Sequence, residues 1–191
     1  MTTVANHYIE VTDEHGKLIG KQVTLDEANN HGLWHRTAHV VIYTTSGKIL
    51  IQKRSAIIIR NPGLLDISVG AAIRVGETPQ QALVRKVYEE VGLTIDSTLL
   101  KSVSTTKYNH KLPRYNKHVR VILHNYILEI ESPNVPLRYL RSEVSWAGFV
   151  SLAQAHQLVA AGKLPSIGTL MPRYHYYRSL LAHVDLALTR T

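Results

Sequence analysis

Residues 78–92, TPQQALVRKVYEEVG, mark both ends of one helix, and this constrains how the flanking strands can pack. Thr78 is a capping residue, Pro79 fits the first helical position, where its missing N–H loses nothing, and Gln81 completes a capping box. Gly92 closes the helix because glycine accepts a left-handed backbone. The pattern predicts a helix over 79–91. Before it, residues 8–23 alternate apolar and polar around Asp13-Glu14-His15-Gly16, which predicts a hairpin. Strands follow over 39–44 and 48–53, joined by a turn at Ser46-Gly47, and another is expected over 119–129. Ser151 with Gln154 opens a second helix over 152–161. A third over 173–188 aligns Tyr177, Leu180, Leu181, Val184 and Leu188 on one face. Strands, a capped helix, further strands and two helices predict an α/β sandwich rather than a doubly wound sheet.

At 191 residues the chain is long enough for one domain with its own core. We expect an N-terminal hairpin extension over 1–34, packed on a main domain over 35–191. There is no cysteine, which excludes disulfides, thiolate metal ligands and cysteine nucleophiles. The N-terminus lacks a basic segment followed by an apolar core, and no apolar run is long enough for a bilayer. A cytoplasmic protein without membrane contact is expected. The net charge of +8 suits anionic ligands, nucleic acid or simply a solvated surface.

On the 79–91 helix, Glu89 and Glu90 are adjacent, and Glu77 lies just before the cap, on a loop that can fold back beside the helix. Converging carboxylates make a hard-oxygen site for Mg²⁺ or Mn²⁺ that leaves places for phosphate oxygens. The same residues also suit an ordinary surface helix, since Arg85–Glu89 and Lys86–Glu90 are four apart.

The order and spacing of Glu77, Arg85, Val87, Glu89, Glu90, Gly92 and Leu93 resemble the Nudix box, and the resemblance extends over roughly residues 35–155. It implies an α/β/α sandwich around a mixed sheet. It also implies a pyrophosphohydrolase that cleaves a nucleoside diphosphate derivative with Mg²⁺ or Mn²⁺. The resemblance makes Glu89 and Glu90 the expected metal ligands and catalytic residues, with Glu143 as a further ligand or base. Glu77 and Arg85 are expected to support the loop–helix geometry. Arg54, Lys111, Arg114 and Tyr115 are expected to contact the substrate.

The departures are specific. Ala71 replaces the first glycine of the box, beside Gly70. Lys86 replaces a glutamate that in the family usually binds metal, changing the local charge by two; metal affinity should fall, and Lys86 is expected among the catalytic residues, standing in for one cation beside Glu90 or substrate phosphate. In SEVSWAGFVSL, residues 142–152, Glu143 fits a family glutamate and Phe149 its aromatic, whereas Trp146 falls where a second acid is expected. A catalytically silent Nudix fold that binds a phosphorylated ligand or partner is the alternative reading. The chain also resembles the isopentenyl diphosphate isomerase branch. That branch needs a cysteine and a histidine where this chain has Gly70 and Ala72, so no isomerase activity is expected.

His31, His35 and His39 are spaced by four, but His35 adjoins a strand, so structural roles are preferred over a metal cluster. Residues 101–120 hold six basic residues and no acid, with Tyr108 and Tyr115 interleaved. This stretch reads as a solvated hairpin loop, a phosphate clamp or, without a supporting motif, an RNA patch. The expected partner is a small phosphorylated substrate, with a homodimer as the open question of assembly.

Overall fold

The computed structural model describes residues 8–190, so the first seven residues of the expected extension lie outside the described residues. Strands β1 (Tyr8–Thr12) and β2 (Leu18–Thr24) form the expected antiparallel hairpin. Helix α1 (Leu25–His31) follows. Strands β3 (Trp34–Thr44), β4 (Lys48–Arg54), β5 (Leu65–Ile67) and β6 (Val69–Ala72) precede helix α2 (Pro79–Val91). Strands β7 (Lys101–Leu112), β8 (Lys117–Ile130) and β9 (Val144–Ser151) then lead to helix α3 (Leu152–Ala161). A two-strand ribbon, β10 (Lys163–Leu164) and β11 (Gly168–Thr169), and helix α4 (Tyr174–Leu188) complete the fold.

The first nine strands form one open mixed sheet centred on β3. β3 runs parallel to β8 from Trp34↔Arg120 to Thr44↔Ile130, and antiparallel to β6 through Thr37–Val40. β4 carries β5 on one edge and β9 on the other. Alternation along β3 divides the core. Ala38, Val40 and Ile42 pack under α2, with Leu83, Val87 and Val91 of that helix. Val41 and Tyr43 pack on the other face, with Leu158 of α3 and Leu180, Leu181 and Val184 of α4. Each such buried aliphatic contributes about 1.5–3 kcal/mol, so the two layers pin α2 and α4 to opposite faces. The architecture is the α/β/α sandwich expected from the sequence.

The α2 boundaries are those the caps predict, and both capping-box bonds form. Gly92 is needed twice over: its φ is 74°, and a Cβ there would lie 2.6 Å from the Arg138 carbonyl oxygen. Three expectations are corrected. β3 starts at Trp34 rather than 39, because pairing with β8 extends it along its whole length. Helix α1 was not anticipated, although Thr24 caps Glu27 N–H at 3.1 Å and Gly32 closes it. Residues 101–112, read as part of a loop, are strand β7, paired with β8 from Lys101↔Ile127 to Leu112↔Lys117. β7 is exposed along most of its length, so its sequence carries little apolar alternation.

Candidate active site on helix α2

Burying Leu83, Val87 and Val91 turns the next strip of α2 toward the edges of β4 and β9. That strip carries Arg85, Lys86, Glu89 and Glu90. Glu77 enters from the loop after β6, where Gly76 has a φ of 78° and Glu77 N–H donates to Arg74 O at 3.0 Å.

Two linked ion networks result. In the first, Arg85 Nε donates to Glu77 Oε1 at 2.6 Å and Nη2 to Glu77 Oε2 at 2.9 Å. Arg85 also reaches Ala72 O at 3.1 Å and Glu89 Oε2 at 3.4 Å. Glu77 Oε2 takes the Arg74 backbone N–H at 2.9 Å, and Arg74 approaches Glu89 Oε1 at 3.6 Å. Burial works against the Glu77 charge, but Arg85 and the Arg74 N–H outweigh it and hold the carboxyl below its usual pKa. This is a bracket that fixes loop to helix.

The second network is centred on Lys86. Its Nζ donates to Glu143 Oε2 and lies 3.2 Å from Glu90 Oε1 and 3.7 Å from Glu89 Oε2. Glu90 is buried, and its other oxygen accepts from Gln52 Nε2 at 2.7 Å. Burial pushes the Glu90 carboxyl up to about 7, against Lys86 and Gln52, while Glu143 adds to the rise. Burial opposes the Lys86 charge too, yet Glu90 and Glu143 keep it protonated and raise its pKa.

This donor set does not fit a divalent metal ion. An ammonium already stands between Glu89, Glu90 and Glu143, where a dication would have to be, and Glu90 is saturated by Gln52 and Lys86. Among the described residues no group of three or more carboxylates or imidazoles is placed to share a metal. A dication would have to displace Lys86 or tolerate its repulsion.

The remaining expected residues lie elsewhere. Arg54, at the end of β4, donates from Nε and Nη2 to Arg60 O at 3.3 and 3.2 Å, and its Nη1 is 4.0 Å from Asp66 Oδ2. Lys111, Arg114 and Tyr115 sit at the tip of the β7–β8 hairpin, where Arg114 lies over the Tyr115 ring at 5.8 Å. That tip packs toward α1, through Lys117 to Asp26 at 2.6 Å, and makes no hydrogen bond or ion pair with the α2 carboxylates. A hollow of about 260 Å³ lies at this tip, and one of about 460 Å³ lies between β7 and the end of α4; neither is lined by α2. Trp146 does not stand in the acidic cluster. Paired with Lys53 and in phase with Gly148 and Val150 along β9, Trp146 packs on the α3–α4 face, with its ring over Gly148. Ala71 needs no special backbone either: it lies in β6 with its methyl group buried under α2.

Gln52 and Arg74 were missed from sequence, since a lone Gln in an apolar strand carries no motif. Also missed was a buried polar group on the α4 face, made by His39, Asp66, Asn125, Tyr176 and Tyr177. Of the three spaced histidines, His35 and His39 are buried in β3, and His35 Nδ1 is bonded to Leu33 O at 3.0 Å.

The NUDIX domain family model matches residues 33–171. An isopentenyl-diphosphate Delta-isomerase of Streptomyces avermitilis is 28% identical over 146 residues, covering 76% of this chain and 72% of that protein. An uncharacterized Nudix hydrolase of Listeria monocytogenes is 37% identical over 87 residues, covering 46% of this chain and 52% of its own length. The crystal structure of DR0079 from Deinococcus radiodurans superposes with a TM-score of 0.64 at 19% identity, over 91% of this chain and 98% of that one. The NUDIX domain of Shewanella oneidensis NrtR, solved with ADP ribose, gives 0.57 at 17% identity, over 79% and 87%. The family match and the hydrolase relatives support a pyrophosphohydrolase enzyme. Despite the isomerase similarity, Gly70 and Ala72 offer neither the thiol nor the imidazole which that branch uses. Among the described residues, no helix is long and apolar enough to cross a membrane.

Proposed function

We propose that this chain, which belongs to the NUDIX domain family, hydrolyses a nucleoside diphosphate derivative at its pyrophosphate linkage, its α2 metal site so altered that Lys86 takes the place of a divalent ion. The observation that carries this reading is Lys86 seated among Glu89, Glu90 and Glu143 while the Glu77–Arg85 bracket stays complete. The bracket keeps the helix presented to a substrate, and Lys86 supplies one fixed positive charge where the family's resemblance implies Mg²⁺ or Mn²⁺. Glu143, the most exposed carboxylate around Lys86 and bound to it through only one oxygen, is the best placed proton acceptor. An attacking water would give its proton to Glu143 as its oxygen bonds to phosphorus. The bridging P–O bond then breaks, and its electron pair leaves with the departing phosphate. Glu89 and Glu90 hold Lys86 in position. The NrtR domain solved with ADP ribose supports a nucleotide-derived substrate for this fold.

A second reading is favoured by the same lysine. With every α2 carboxylate engaged inside the protein, the fold would bind a phosphorylated ligand without turning it over. A panel of nucleoside diphosphate derivatives, assayed for phosphate release with Mg²⁺ or Mn²⁺ supplied, separates the two. The enzyme reading expects turnover of at least one compound, lost in a Glu89→Gln, Glu90→Gln double variant. Turnover no higher than that variant across the panel would leave only the binding function.

A further inference from the structure

The β7–β8 hairpin has two unlike sides. Tyr108, Leu112, Val119, Val121 and Leu123 pack together with Tyr176 of α4. Strand pairing sets Lys107, Asn109 and Lys111 opposite Ile122, Arg120 and His118. These residues therefore share the other side, the one on which Tyr126 and Leu128 of β8 pack under α2. Lys107, Asn109 and Lys111 are exposed, as is Arg114 at the hairpin tip. His118 Nε2 lies 2.7 Å from Asn109 Oδ1 and accepts from Arg120 Nε at 3.2 Å, which ties the two strands into one polar strip. Desolvation first, and then Arg120 and Lys111, lower the His118 pKa from 6.5, so the positive charges converge on that ring.

No acid balances this strip. The sequence has none between Asp96 and Glu129. Among the described residues, Lys107, Lys111, Arg114 and Arg120 form no ion pair. The neighbouring acids are engaged elsewhere. Asp26 takes Lys117 at 2.6 Å. The β1–β2 turn borders the strip where Gly16 meets Ile122. Its Asp13 accepts from the His15 and Lys17 N–H groups at 2.8 and 2.9 Å, and its Glu14 lies 3.5 Å from His15 Nε2.

Lysines on an outer strand keep sheet edges from pairing with one another, and Lys107 and Lys111 would serve that use. Arg120 and His118 would not, since β8 is already paired on both sides, by β7 and by β3. The charge thus runs across the sheet rather than along its edge. That arrangement suits a polyanion laid on the face better than an acidic strand added to β7. Lys107 and Lys111 are about 14 Å apart along β7, and β8 lies about 5 Å away, a strip matched to one nucleic-acid backbone.

We propose that Lys107, Lys111, Arg114 and Arg120 bind the phosphates of a single-stranded nucleic acid, with Asn109 and His118 between them as hydrogen-bonding groups for sugar or base edges. Lysine ammoniums pair with phosphates as mobile point charges, and release of the counterions supplies the affinity. No hydrogen bond or ion pair joins the strip to the α2 carboxylates among the described residues. The proposal does not depend on whether α2 hydrolyses anything.

Fluorescence anisotropy of the full chain with labelled oligo(U) and oligo(dT), each of about 15 residues, tests this over a range of salt. At least one should bind, and the tighter of the two identifies the source. Log affinity should fall against log salt with a slope of about −3, from four contacts of about 0.7 each. A Lys107→Gln, Lys111→Gln, Arg114→Gln triple variant should bind about tenfold more weakly or worse in low salt, with its slope reduced to about −1. Lys163→Gln, on β10, should keep the parent slope. Polyglutamate at equal charge should compete poorly. The proposal is overturned if neither oligonucleotide binds in low salt, or if the triple variant keeps the parent affinity and slope. It is also overturned if Lys163→Gln lowers the slope as much, or if polyglutamate displaces the oligonucleotide, which would make the partner an acidic protein. Should the triple variant fail to fold by circular dichroism, Lys107→Gln with Lys111→Gln decides alone, and a parent-like slope there counts against the site.

Discussion

The two faces of the sheet carry charge in contrasting states. Under α2, Glu77, Glu89, Glu90 and Glu143 are all met by Arg74, Arg85 or Lys86 from the same chain. On the α4 side, Arg60 and Arg173 form no close ion pair among the described residues, and Arg173 lies over the Tyr108 ring at 4.6 Å. A cluster whose charges close on themselves stiffens the fold and resists a further ion, whereas one left open is where a ligand's charge has most to gain. The +8 of the chain predicts neither arrangement. What matters is which charges find partners, and that depends on strand register and helix phase.

The largest test of the closed face is the bracket. Arg85→Ala strands Glu77 and the Ala72 carbonyl, and it should cost about 2–4 kcal/mol, measured by chemical denaturation. A loss under about 0.5 kcal/mol, the range of an ordinary surface change, would show that the bracket is a solvated pair.

The open face should show itself in acid. Burial lowers His35 and His39 from 6.5 to about 4, against the Leu33 carbonyl in one case and Asp66 in the other. Both are neutral in the fold and bind protons more readily when unfolded. Their contribution is therefore complete above pH 6.5 and is lost as pH falls from there toward 4. Melting temperature should drop across that window, by the order of 1–3 kcal/mol of stability per histidine. His39→Gln should flatten the profile, and an unchanged profile in that variant would place the acid sensitivity elsewhere.

The smallest effect belongs to the β7–β8 tip. Lys111→Ala and Arg114→Ala should change stability by less than about 0.5 kcal/mol and leave any hydrolysis within twofold. A larger fall in turnover would bring the hairpin back into the substrate's path.

Much of this was legible in the sequence where local chemistry dictates structure. Thr78, Pro79, Gln81 and Gly92 set α2, and Ser151 with Gln154 set α3, because caps act on their own backbone. Glu77, Arg85, Lys86, Glu89 and Glu90 were visible through spacing along one helix. β7 and the position of Trp146 were not. The first is an exposed strand held by β8, and the second depends on the register of β9 against β4, which pairs Trp146 with Lys53 and turns it to the α4 side. The buried polar group of His39, Asp66, Asn125, Tyr176 and Tyr177 lay beyond reach for a related reason: its members come from four elements far apart in the chain.

The central claim is that Lys86 stands where a metal ion would be. Calorimetric titration with Mn²⁺ of the parent chain and of Lys86→Glu tests it directly. Replacing the ammonium with a carboxylate should tighten Mn²⁺ binding at least tenfold, about 1.4 kcal/mol. That is a modest demand for removing a cation that lies 3.2 Å from Glu90 and 3.7 Å from Glu89. A folded Lys86→Glu protein that binds Mn²⁺ no more tightly than the parent would contradict the claim and move the metal question away from α2.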